Sequence, residues 1–554
     1  MSAVALDGVV RFPAEFAEKY RAAGYWDDRL LIEHYEDAFR DYADRVAIVD
    51  DDESITYAEL AERSMVVARN LHDLGIRPLD RVVVQLRNTA LFASFYLGLQ
   101  HLGAIPIMAL PVHRYREVEQ FVRLAGAVAL ASPAAAKDIS YLELFDRVSA
   151  EHPTLKLHFV EGPVEPGEGR VSIDDLHVRA PRATEQEIRD QRAGLDPEDP
   201  AVFQLSGGTT GIPKLIPRSH NDYAYNSKLA ASVCDIREGD VLLDVLPVSH
   251  NLPLACPGMQ GFLFSGATVS LVAVPRADAI LSRIDRDSAT HIHLVPALLI
   301  KILEAQQSVG ADLGTMRVIQ SGGQRLQPET RLRATEVFPV AQVQENFGMA
   351  EGLLMFVRLD DPDDVRLETV GRPICPDDEV RLIDEDGVDV ADGEVGELAA
   401  RGPYTLRGYF RAPEHNLTAF TPDGFYLSGD LMVRTASGNY VVAGRRKDLI
   451  NRGGEKISAE EIENLMLSHP SIVIAAVVPM PDPVLGERMC ACVVLREGTT
   501  LELPELVEFL AGFDLARFKL PEALRVYDEL PLSPIGKVSK KDLVAEIALE
   551  SASS

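Results

Sequence analysis

The feature that most constrains the fold is an alternation of strand-like and helix-like segments between residues 81 and 110. RVVVQL is rich in β-branched residues, LFASFYLGLQHLG has an apolar helical pattern, and AIPIMAL is again strand-like and ends before Pro111. A strand, a helix and a second strand in this order predict a βαβ unit, which favours a layered α/β architecture. Similar strand-like runs recur at VLLDVLPV, ATVSLVAV and MRVIQSGG, so we expect this alternation to fill most of the first 350 residues.

The pattern of strand-forming and turn-forming residues changes after Gly371. Short strand-like pieces are broken there by Asp-Gly, Pro and Gly, as in VRLIDEDGVDVADGEVGELAARG, which is typical of antiparallel hairpins. A new α/β pattern begins beyond the basic stretch GRRKDLINRGGEKIS. There Ser458 and Glu461 predict a capping box at the start of a helix with an apolar stripe.

The length of the chain, 554 residues, is too great for one hydrophobic core, because cores stop growing near roughly 250–300 residues. We predict a large N-terminal domain at 1–446, made of layered α/β subdomains and a small β unit at about 371–446. A small, mobile α+β C-terminal domain is predicted at 447–554.

Charge and cysteine content exclude several classes of protein. A formal net charge of −30 would repel nucleic-acid phosphates and anionic lipids, so neither nucleic acid nor membrane is expected as a partner. Five thinly spread cysteines give neither a disulfide framework nor paired zinc-ligand spacing. The N-terminus also lacks a basic region followed by an apolar core. We therefore expect a cytoplasmic protein whose anionic ligands bind at a local positive site.

The strongest local signal is the loop FQLSGGTTGIPK at 203–214. Glycines permit a tight turn whose N–H groups converge, hydroxyls add donors and the lysine adds positive charge, which together suit a polyphosphate. It is not a Walker loop, because Pro213 precedes the lysine and Leu215 follows it. The predicted phosphate-binding residues are Ser206, Gly207, Gly208, Thr209, Thr210, Gly211 and Lys214.

Three later stretches carry residues suited to nucleotide chemistry. In NFGMAEG, Glu351 could hold a magnesium ion that bridges phosphate oxygens. YLSGD and AGRRKD place Asp430 and Arg445 in successive turns, where the aspartate can accept ribose hydroxyls and the arginine can neutralise phosphate. In PLSPIGKVSKKDL, Lys537 lies in a loop flanked by Pro and Gly.

In this order and at this separation, the four stretches resemble the adenylate-forming superfamily of acyl-CoA synthetases, luciferases and nonribosomal peptide adenylation domains. The resemblance covers nearly the whole chain. KLIPRSHNDYAYN, HNLPLACPG and GRRKDLINRGGEKIS are most similar to the stand-alone aryl-acid AMP ligases of siderophore and related assembly lines. The resemblance implies that ATP and Mg²⁺ convert an aryl acid to aryl-AMP and pyrophosphate. The aryl group then passes to the phosphopantetheine thiol of an aryl carrier protein.

The resemblance also implies roles for particular residues. Thr209 and Thr210 would hold the β- and γ-phosphates, and Lys537 would contact the carboxylate and the bridging oxygen during adenylation. Glu351 would be the magnesium ligand and Asp430 the ribose ligand. Further nucleotide-binding positions implied are Gly322, Gly323, Gln344, Glu345, Asn346 and Arg445.

The second half-reaction is implied to require rotation of the C-terminal domain. Lys447 matches the hinge position of the family. Rotation would withdraw Lys537 and bring Gly453 and Gly454 towards the active site, where residues without side chains let a pantetheine arm approach.

The loop PVSHNLPLACPG decides the substrate class. Amino-acid-activating relatives place an aspartate where this chain has Asn251, whose neutral amide suits an ortho-hydroxybenzoate better than an α-ammonium group. His250 is predicted at the pocket entrance. Cys256 stands where dihydroxybenzoate-activating relatives carry serine, and a thiol serves a 3-hydroxyl poorly, which favours salicylate over 2,3-dihydroxybenzoate. Leu252 replaces a common aromatic residue and leaves room for a methylated salicylate, an anthranilate or a hydroxypicolinate.

Two other function classes remain open at this point. Free coenzyme A could replace the carrier protein as acceptor, since both need the same hinge and tunnel. The chain could also be a non-catalytic ligand-binding paralogue, although it retains the charged residues of the catalytic set. The pairs His291/His293 and Cys490/Cys492 alternate as strand residues do, so we predict that they pack in the core.

Overall fold

The computed structural model describes residues 6–136, 139–165, 169–206, 213–323, 326, 328–452, 455–482, 485–513, 515, 517–533 and 537–551. Within these ranges, no helix combines the length and the apolar character that crossing a bilayer requires.

The strands and helices follow one another in a predominantly alternating order. The strands are β1 (Val46–Val49), β2 (Ser54–Thr56), β3 (Arg81–Val84), β4 (Ile105–Met108), β5 (Ala129–Pro133), β6 (Ala135–Ala136), β7 (Ile139–Ser140), β8 (Leu157–Glu161), β9 (Arg170–Ser172), β10 (Pro200–Leu205), β11 (Leu215–Ser219), β12 (Val241–Asp244), β13 (Thr268–Leu271), β14 (His291–Leu294), β15 (Val318–Gly322), β16 (Gln342–Met349), β17 (Gly352–Phe356), β18 (Arg372–Pro373), β19 (Glu379–Ile383), β20 (Val395–Arg401), β21 (Tyr426–Arg434), β22 (Tyr440–Arg445), β23 (Leu449–Arg452), β24 (Glu455–Ser458), β25 (Ile472–Asp482), β26 (Gly486–Leu495) and β27 (Ala523–Tyr527). The helices are α1 (Ala14–Ala22), α2 (Leu31–Asp41), α3 (Tyr57–Asp73), α4 (Ala90–Leu102), α5 (Tyr115–Ala125), α6 (Tyr141–Glu151), α7 (Ile173–Val178), α8 (Glu185–Arg192), α9 (His220–Val233), α10 (Asn251–Ala255), α11 (Gly258–Phe264), α12 (Ala277–Asp287), α13 (Pro296–Val309), α14 (Pro328–Val337), α15 (Asp363–Glu368), α16 (Pro413–Ala419), α17 (Ala459–Met466), α18 (Leu503–Ala511) and α19 (Lys540–Ser551).

Two large, mainly parallel sheets form the N-terminal part. One has the order β11-β10-β4-β3-β5-β8-β9, and the other the order β18-β17-β16-β15-β14-β12-β13-β1-β2. The predicted βαβ unit is confirmed: β3 and β4 are parallel neighbours joined by α4. In the second sheet β13, β12, β14, β15 and β16 run parallel, so their carboxyl ends meet at one edge. Ligands of open α/β sheets bind at such an edge.

The main core contains the helices that pack between the two sheets. Residues of α2, α3, α4, α9 and α11 share one apolar cluster with residues of both sheets. His291 and His293 lie fully buried on β14, and Cys490 and Cys492 lie fully buried on β26, as predicted from their alternation. The layered α/β class predicted from the sequence is confirmed.

The region after Gly371 forms the predicted antiparallel hairpins. Strands β19, β20, β21 and β22 make a four-stranded sheet in that order. Asp430 on β21 and Arg445 on β22 are direct cross-strand partners in this sheet. The expectation that they lie in successive turns is therefore wrong, because both positions belong to paired strands.

The C-terminal part has its own sheet, in the order β24-β23-β26-β25, with β27 pairing with β26. Helix α17 begins at the predicted cap, where Glu461 N–H donates to Ser458 Oγ at 3.3 Å. The other half of the predicted capping box is replaced by an ion pair, since Lys519 Nζ binds the Glu461 carboxylate at 2.7 Å. Ser458 Oγ also donates to Ala443 O on β22 at 2.7 Å, and so joins the start of α17 to the four-stranded sheet.

Candidate active site

A cleft of about 2110 Å³ lies at the carboxyl edge of the parallel strands and is closed from one side by the C-terminal part. Residues of the phosphate loop, the aryl-acid loop and the three later stretches all line its wall, although they are far apart in the sequence. The predicted site residues that line this cleft are Ser206, Lys214, His250, Asn251, Leu252, Cys256, Gly322, Gly323, Glu345, Asn346, Glu351, Asp430, Arg445 and Lys537. The predicted positions 207–211, together with Gly453 and Gly454, lie outside the described residues.

The two ends of the Gly- and Thr-rich loop are held together by the backbone. Ser206 N–H donates to Lys214 O at 3.0 Å, and Lys214 N–H donates to Ser206 Oγ at 2.9 Å. These bonds extend the antiparallel pairing of β10 with β11. Lys214 Nζ lies 5.8 Å from the centre of the Tyr409 ring, which directs its charge towards the wall that carries Glu351.

Glu351 is a buried carboxylate in the wall of the cleft. Tyr409 Oη donates to Glu351 Oε1 at 2.8 Å and also bonds with Tyr426 Oη at 2.9 Å. Burial raises the pKa of Glu351, and the Tyr409 hydrogen bond opposes that rise. A carboxylate in this state gains stability from a nearby cation.

Asp430 and Arg445 form an ion pair on the neighbouring wall. Arg445 Nε lies 2.8 Å from Asp430 Oδ1, and the charge of Asp430 raises the pKa of Arg445. The Asp430 side chain is only 5 % exposed, whereas that of Arg445 is 42 % exposed. The pair therefore presents a fixed acceptor beside an accessible cation.

Two glycines at the end of β15 allow close approach. A Cβ atom at Gly322 would stand 2.3 Å from Asn346 Oδ1, and one at Gly323 would stand 2.6 Å from Lys537 Cε. Gly323 also has a φ of +86°, which disfavours other residues. Asn346 Nδ2 is buried, and the described residues supply it with no hydrogen-bond acceptor. An orphaned buried donor at this edge is a natural partner for a ligand acceptor.

The side chains of Gln344 and Glu345 are engaged within the protein. Gln344 Nε2 donates to Val357 O at 2.9 Å, and Gln344 does not belong to the cleft wall. Glu345 forms a buried ion pair with Arg331. Of the three consecutive positions predicted to bind nucleotide, Asn346 alone faces the cleft with an unused polar atom.

The loop predicted to bind the aryl acid forms helix α10 and its flanks. His250 is the N-cap of α10, and its Nδ1 accepts from Leu252 N–H at 3.5 Å. Removal from bulk water lowers the pKa of His250 to about 4, with a contribution from the nearby positive charge of Lys537. The predicted pocket entrance and Lys537 are therefore close together. Leu252 is partly buried against the main core and lines the cleft.

Asn251 and Cys256 face each other inside the pocket. Asn251 Nδ2 donates to Cys256 Sγ at 3.1 Å, and Asn226 Nδ2 donates to the same sulfur at 3.3 Å. Burial raises the pKa of Cys256 to about 11, so the thiol is neutral. Tyr223 Oη donates to Asn251 Oδ1 at 2.9 Å.

Sequence reasoning missed Tyr223, Asn226 and Tyr409 as participants in the site. Tyr223 and Asn226 are three residues apart on α9, the spacing of one helix face, and this spacing was the available signal. Tyr409 has no comparable signal in the sequence, because its contact with Glu351 depends on packing between distant segments.

The backbone of Lys447 lies in a 3₁₀ turn, Arg446–Asp448, between β22 and β23.

Comparison with known proteins relates this chain to families of enzymes. A family model described as AMP-binding enzyme matches residues 35–410, and a model described as AMP-binding enzyme C-terminal domain matches residues 461–537. A Streptomyces protein named salicylyl-CoA synthase / salicylate adenylyltransferase is 44% identical over 543 residues, which are 97% of each chain. A Mycobacterium tuberculosis protein named salicyl-AMP ligase / salicyl-S-ArCP synthetase is 42% identical over 549 residues, 98% of this chain and 95% of that one.

The fold has a solved counterpart of similar sequence. The apo structure of MbtA from Mycobacterium smegmatis superimposes with a TM-score of 0.74 at 41% identity. It covers 99% of this chain and 100% of its own.

Proposed function

This chain belongs to the AMP-binding enzyme family, and on that premise we propose that it activates an aryl carboxylic acid with ATP and transfers the aryl group to a thiol. One observation carries the proposal: Lys537 reaches from the C-terminal part to Gly323, inside the cleft that also contains Asp430 and Asn251. A cation, a ribose acceptor and an aryl pocket thus share one space.

The nucleotide would lie along the carboxyl edge of the parallel strands. Asp430 would accept the ribose hydroxyls, and Asn346 Nδ2 would donate to the adenine. The loop that begins at Ser206 and ends at Lys214 would hold the phosphates. Arg445, which is paired with Asp430, would also donate hydrogen bonds to a phosphate oxygen, since guanidinium groups carry several N–H donors and often bind phosphate with two of them.

The first half-reaction is a displacement at the α-phosphorus of ATP. A carboxylate oxygen of the aryl acid forms a bond to this phosphorus while the bond to pyrophosphate breaks, and aryl-AMP and pyrophosphate result. Negative charge accumulates on the phosphoryl oxygens, so the fixed ammonium of Lys537 lowers the barrier.

The buried carboxylate Glu351 would hold the magnesium ion. Its raised pKa fits a site completed by a cation, and Mg²⁺ prefers a single carboxylate together with phosphate oxygens and water. When bound, the ion would neutralise charge on the leaving pyrophosphate.

The second half-reaction needs a thiol where pyrophosphate has left. The thiolate sulfur bonds to the carbonyl carbon of the aryl-adenylate, AMP departs, and the thiol proton is released. We place the hinge for the required rotation at Lys447, between a domain at 1–446 and one at 447–554, and the thiol path at Gly453 and Gly454. The contact of Ser458 with Ala443 O lies next to this hinge and would break on rotation.

The pocket supports an ortho-hydroxybenzoate, and salicylate is the substrate we propose. Cys256 Sγ already accepts two amide N–H bonds, and a neutral thiol adds a weak donor at most. A 3-hydroxyl buried beside it would be poorly matched, which disfavours 2,3-dihydroxybenzoate. The small side chain of Leu252 keeps substituted salicylates as alternative substrates.

The acceptor is proposed to be the phosphopantetheine arm of an aryl carrier protein. The name of the Mycobacterium tuberculosis relative, salicyl-S-ArCP synthetase, supports such a transfer. We propose siderophore or related nonribosomal biosynthesis as the pathway type. Free coenzyme A is the second candidate, because the Streptomyces relative is named salicylyl-CoA synthase as well as salicylate adenylyltransferase.

Pyrophosphate exchange into ATP tests the activation step directly. We expect labelled pyrophosphate to enter ATP when salicylate is present, and not with phenylalanine or a fatty acid. Exchange that depends on phenylalanine or a fatty acid, and not on any benzoate, would overturn the proposal. Transfer of labelled salicylate to a loaded carrier protein or to coenzyme A, measured in parallel, decides the acceptor.

A further inference from the structure

A hydrogen-bonded relay leads from β10 through α9 into the aryl pocket. Gln204 Nε2 donates to Tyr223 Oη at 3.0 Å, and Tyr223 Oη donates to Asn251 Oδ1 at 2.9 Å. Tyr223 is fully buried and lies behind the cleft wall, whereas Gln204 and Asn251 line the cleft. The relay thus connects the strand that enters the phosphate loop with the residue that faces the aryl ring.

The relay fixes the orientation of the Asn251 amide. Asn251 Nδ2 points towards Met349 O at 3.5 Å and Cys256 Sγ at 3.1 Å. A backbone carbonyl can only accept, so the amide nitrogen belongs on that side and the amide oxygen on the side of Tyr223. The hydroxyl of Tyr223 engages the oxygen, and Nδ2 stays on the cleft side, where a substrate oxygen can replace its present acceptors, the weakly accepting sulfur and the carbonyl at 3.5 Å.

Neighbouring groups also act on the Cys256 sulfur. Asn226 Nδ2 is itself oriented by Ala255 O at 2.8 Å and donates to Cys256 Sγ. The buried guanidinium of Arg218 lies 4.6 Å from the centre of the Tyr223 ring, and its positive charge opposes the burial-induced rise in the pKa of Cys256. Because Asn226 supplies the sulfur with a second amide donor, Asn251 Nδ2 can donate to a substrate oxygen without leaving Cys256 Sγ unbonded.

We propose that Tyr223 and Gln204 are positioning residues that hold the Asn251 amide with its donor towards the substrate, so that the pocket selects an aryl acid with an ortho oxygen over one with an ortho amine. The proposal rests on the proposed aryl-acid activation. A phenol oxygen accepts from Nδ2, whereas the lone pair of an aromatic amine is delocalised into the ring and its N–H groups would face another donor. An amide turned by 180° would reverse this preference.

The test compares two Tyr→Phe variants on the same helix. Tyr223→Phe removes the hydroxyl that holds Asn251, and Tyr225→Phe removes a hydroxyl that pairs instead with Cys375 Sγ at 3.3 Å. For each variant kcat/KM is measured by pyrophosphate exchange with salicylate, anthranilate and benzoate, and the melting temperature is recorded.

Wild-type protein should prefer salicylate to anthranilate by at least about tenfold, the value of one well-placed hydrogen bond. In Tyr223→Phe the ratios of salicylate to benzoate and of salicylate to anthranilate should both fall about tenfold, because the amide is free to turn. Tyr225→Phe should leave both ratios unchanged. A folded Tyr223→Phe with wild-type ratios, or a wild type that prefers anthranilate, would overturn the proposal.

A second variant keeps the test decisive if Tyr223→Phe does not fold. Gln204→Met removes the donor behind Tyr223 Oη and should lower the same two ratios in the same direction, by about threefold, since Tyr223 is retained. Unchanged ratios in a folded Gln204→Met would then reject the relay. Failure of the underlying function looks different, because the wild type would show no exchange with any of the three acids.

Discussion

Lys537 lies against the backbone of Gly323, although 214 positions of the sequence separate the two residues. A Cβ atom at Gly323 would stand 2.6 Å from Lys537 Cε and 3.1 Å from Nζ. The glycine therefore leaves the space that the lysine stem occupies. Because the lysine comes from the C-terminal part, this contact is present only while that part closes the cleft.

Replacement of Lys537 should separate the two half-reactions. Lys537→Ala removes a preorganised cation, which typically costs roughly 10²–10³ in rate, so pyrophosphate exchange should fall by about that factor. Consumption of pre-made salicyl-AMP by the thiol should change little, because the proposed rotation withdraws the lysine for that step. Single-turnover assays of each step give the measurement. Lys301→Ala, an exposed lysine on α13, is the matched control, and equal loss in both steps of Lys537→Ala would reject the rotation.

A methyl group at Gly323 should displace the lysine. In Gly323→Ala the new Cβ would meet Lys537 Cε, and the flexible lysine would move away from the reacting phosphate, so we expect adenylate formation to fall by at least about tenfold. Gly438→Ala imposes similar backbone strain, since its φ is +78° against +86°, but its Cβ would meet open space. Both variants should lose comparable thermal stability, and only Gly323→Ala should lose exchange. Equal loss of exchange in the two variants, or wild-type exchange in Gly323→Ala, would contradict the role of the contact.

Cys256→Ser should move the substrate preference towards 2,3-dihydroxybenzoate. The serine oxygen would keep the two amide donors of Asn226 and Asn251 and would offer its own proton to a 3-hydroxyl, which a thiol does weakly. A matched buried hydroxyl is worth roughly 1–3 kcal/mol, so the ratio of kcat/KM should shift about ten- to a hundredfold. Cys234→Ser is the control, since this buried cysteine pairs with Gln320 away from the cleft wall. An unchanged ratio in Cys256→Ser would assign the choice to Leu252 or another wall residue.

Buried histidines should make the fold sensitive to acid. Burial lowers the pKa of His113 and His250 to about 4, and that of His158, His220 and His293 to about 3. Each folded-state pKa lies below the unfolded value of about 6.5. Between these two pKa values the unfolded chain therefore binds more protons than the folded chain does. Their contribution to stability is complete above about pH 6.5 and is lost as the pH falls towards 4 and below.

The melting temperature should therefore drop between pH 6.5 and 4. His293→Leu, which removes one such group from β14, should show a smaller drop than the wild type over this interval. The difference between the two proteins should be largest at the acid end. Parallel curves would show that His293 does not take part in the acid lability.

Local patterns in the sequence were sufficient for much of the fold. The βαβ unit at 81–110, the antiparallel hairpins after Gly371 and the start of α17 at Ser458 are all confirmed. Each depends on residue types within a few positions of one another. The ordered motifs also predicted the superfamily, and the family models and the named relatives confirm the resemblance to aryl-acid AMP ligases.

The sequence by itself determined which reactive residue types the site contains: a glycine- and hydroxyl-rich loop, one acidic residue each for the proposed magnesium ion and ribose, and a distant lysine. It did so because the charge, hydroxyl groups or backbone freedom of a residue follow from its type and do not depend on how the chain packs. The tertiary structure decided which of their atoms are free. It paired Asp430 with Arg445 and brought Tyr409 into hydrogen-bonding distance of Glu351. It also placed the Tyr223 hydroxyl against Oδ1 of the Asn251 amide. These contacts join residues on separate strands and helices, and no local pattern specifies which distant groups will meet.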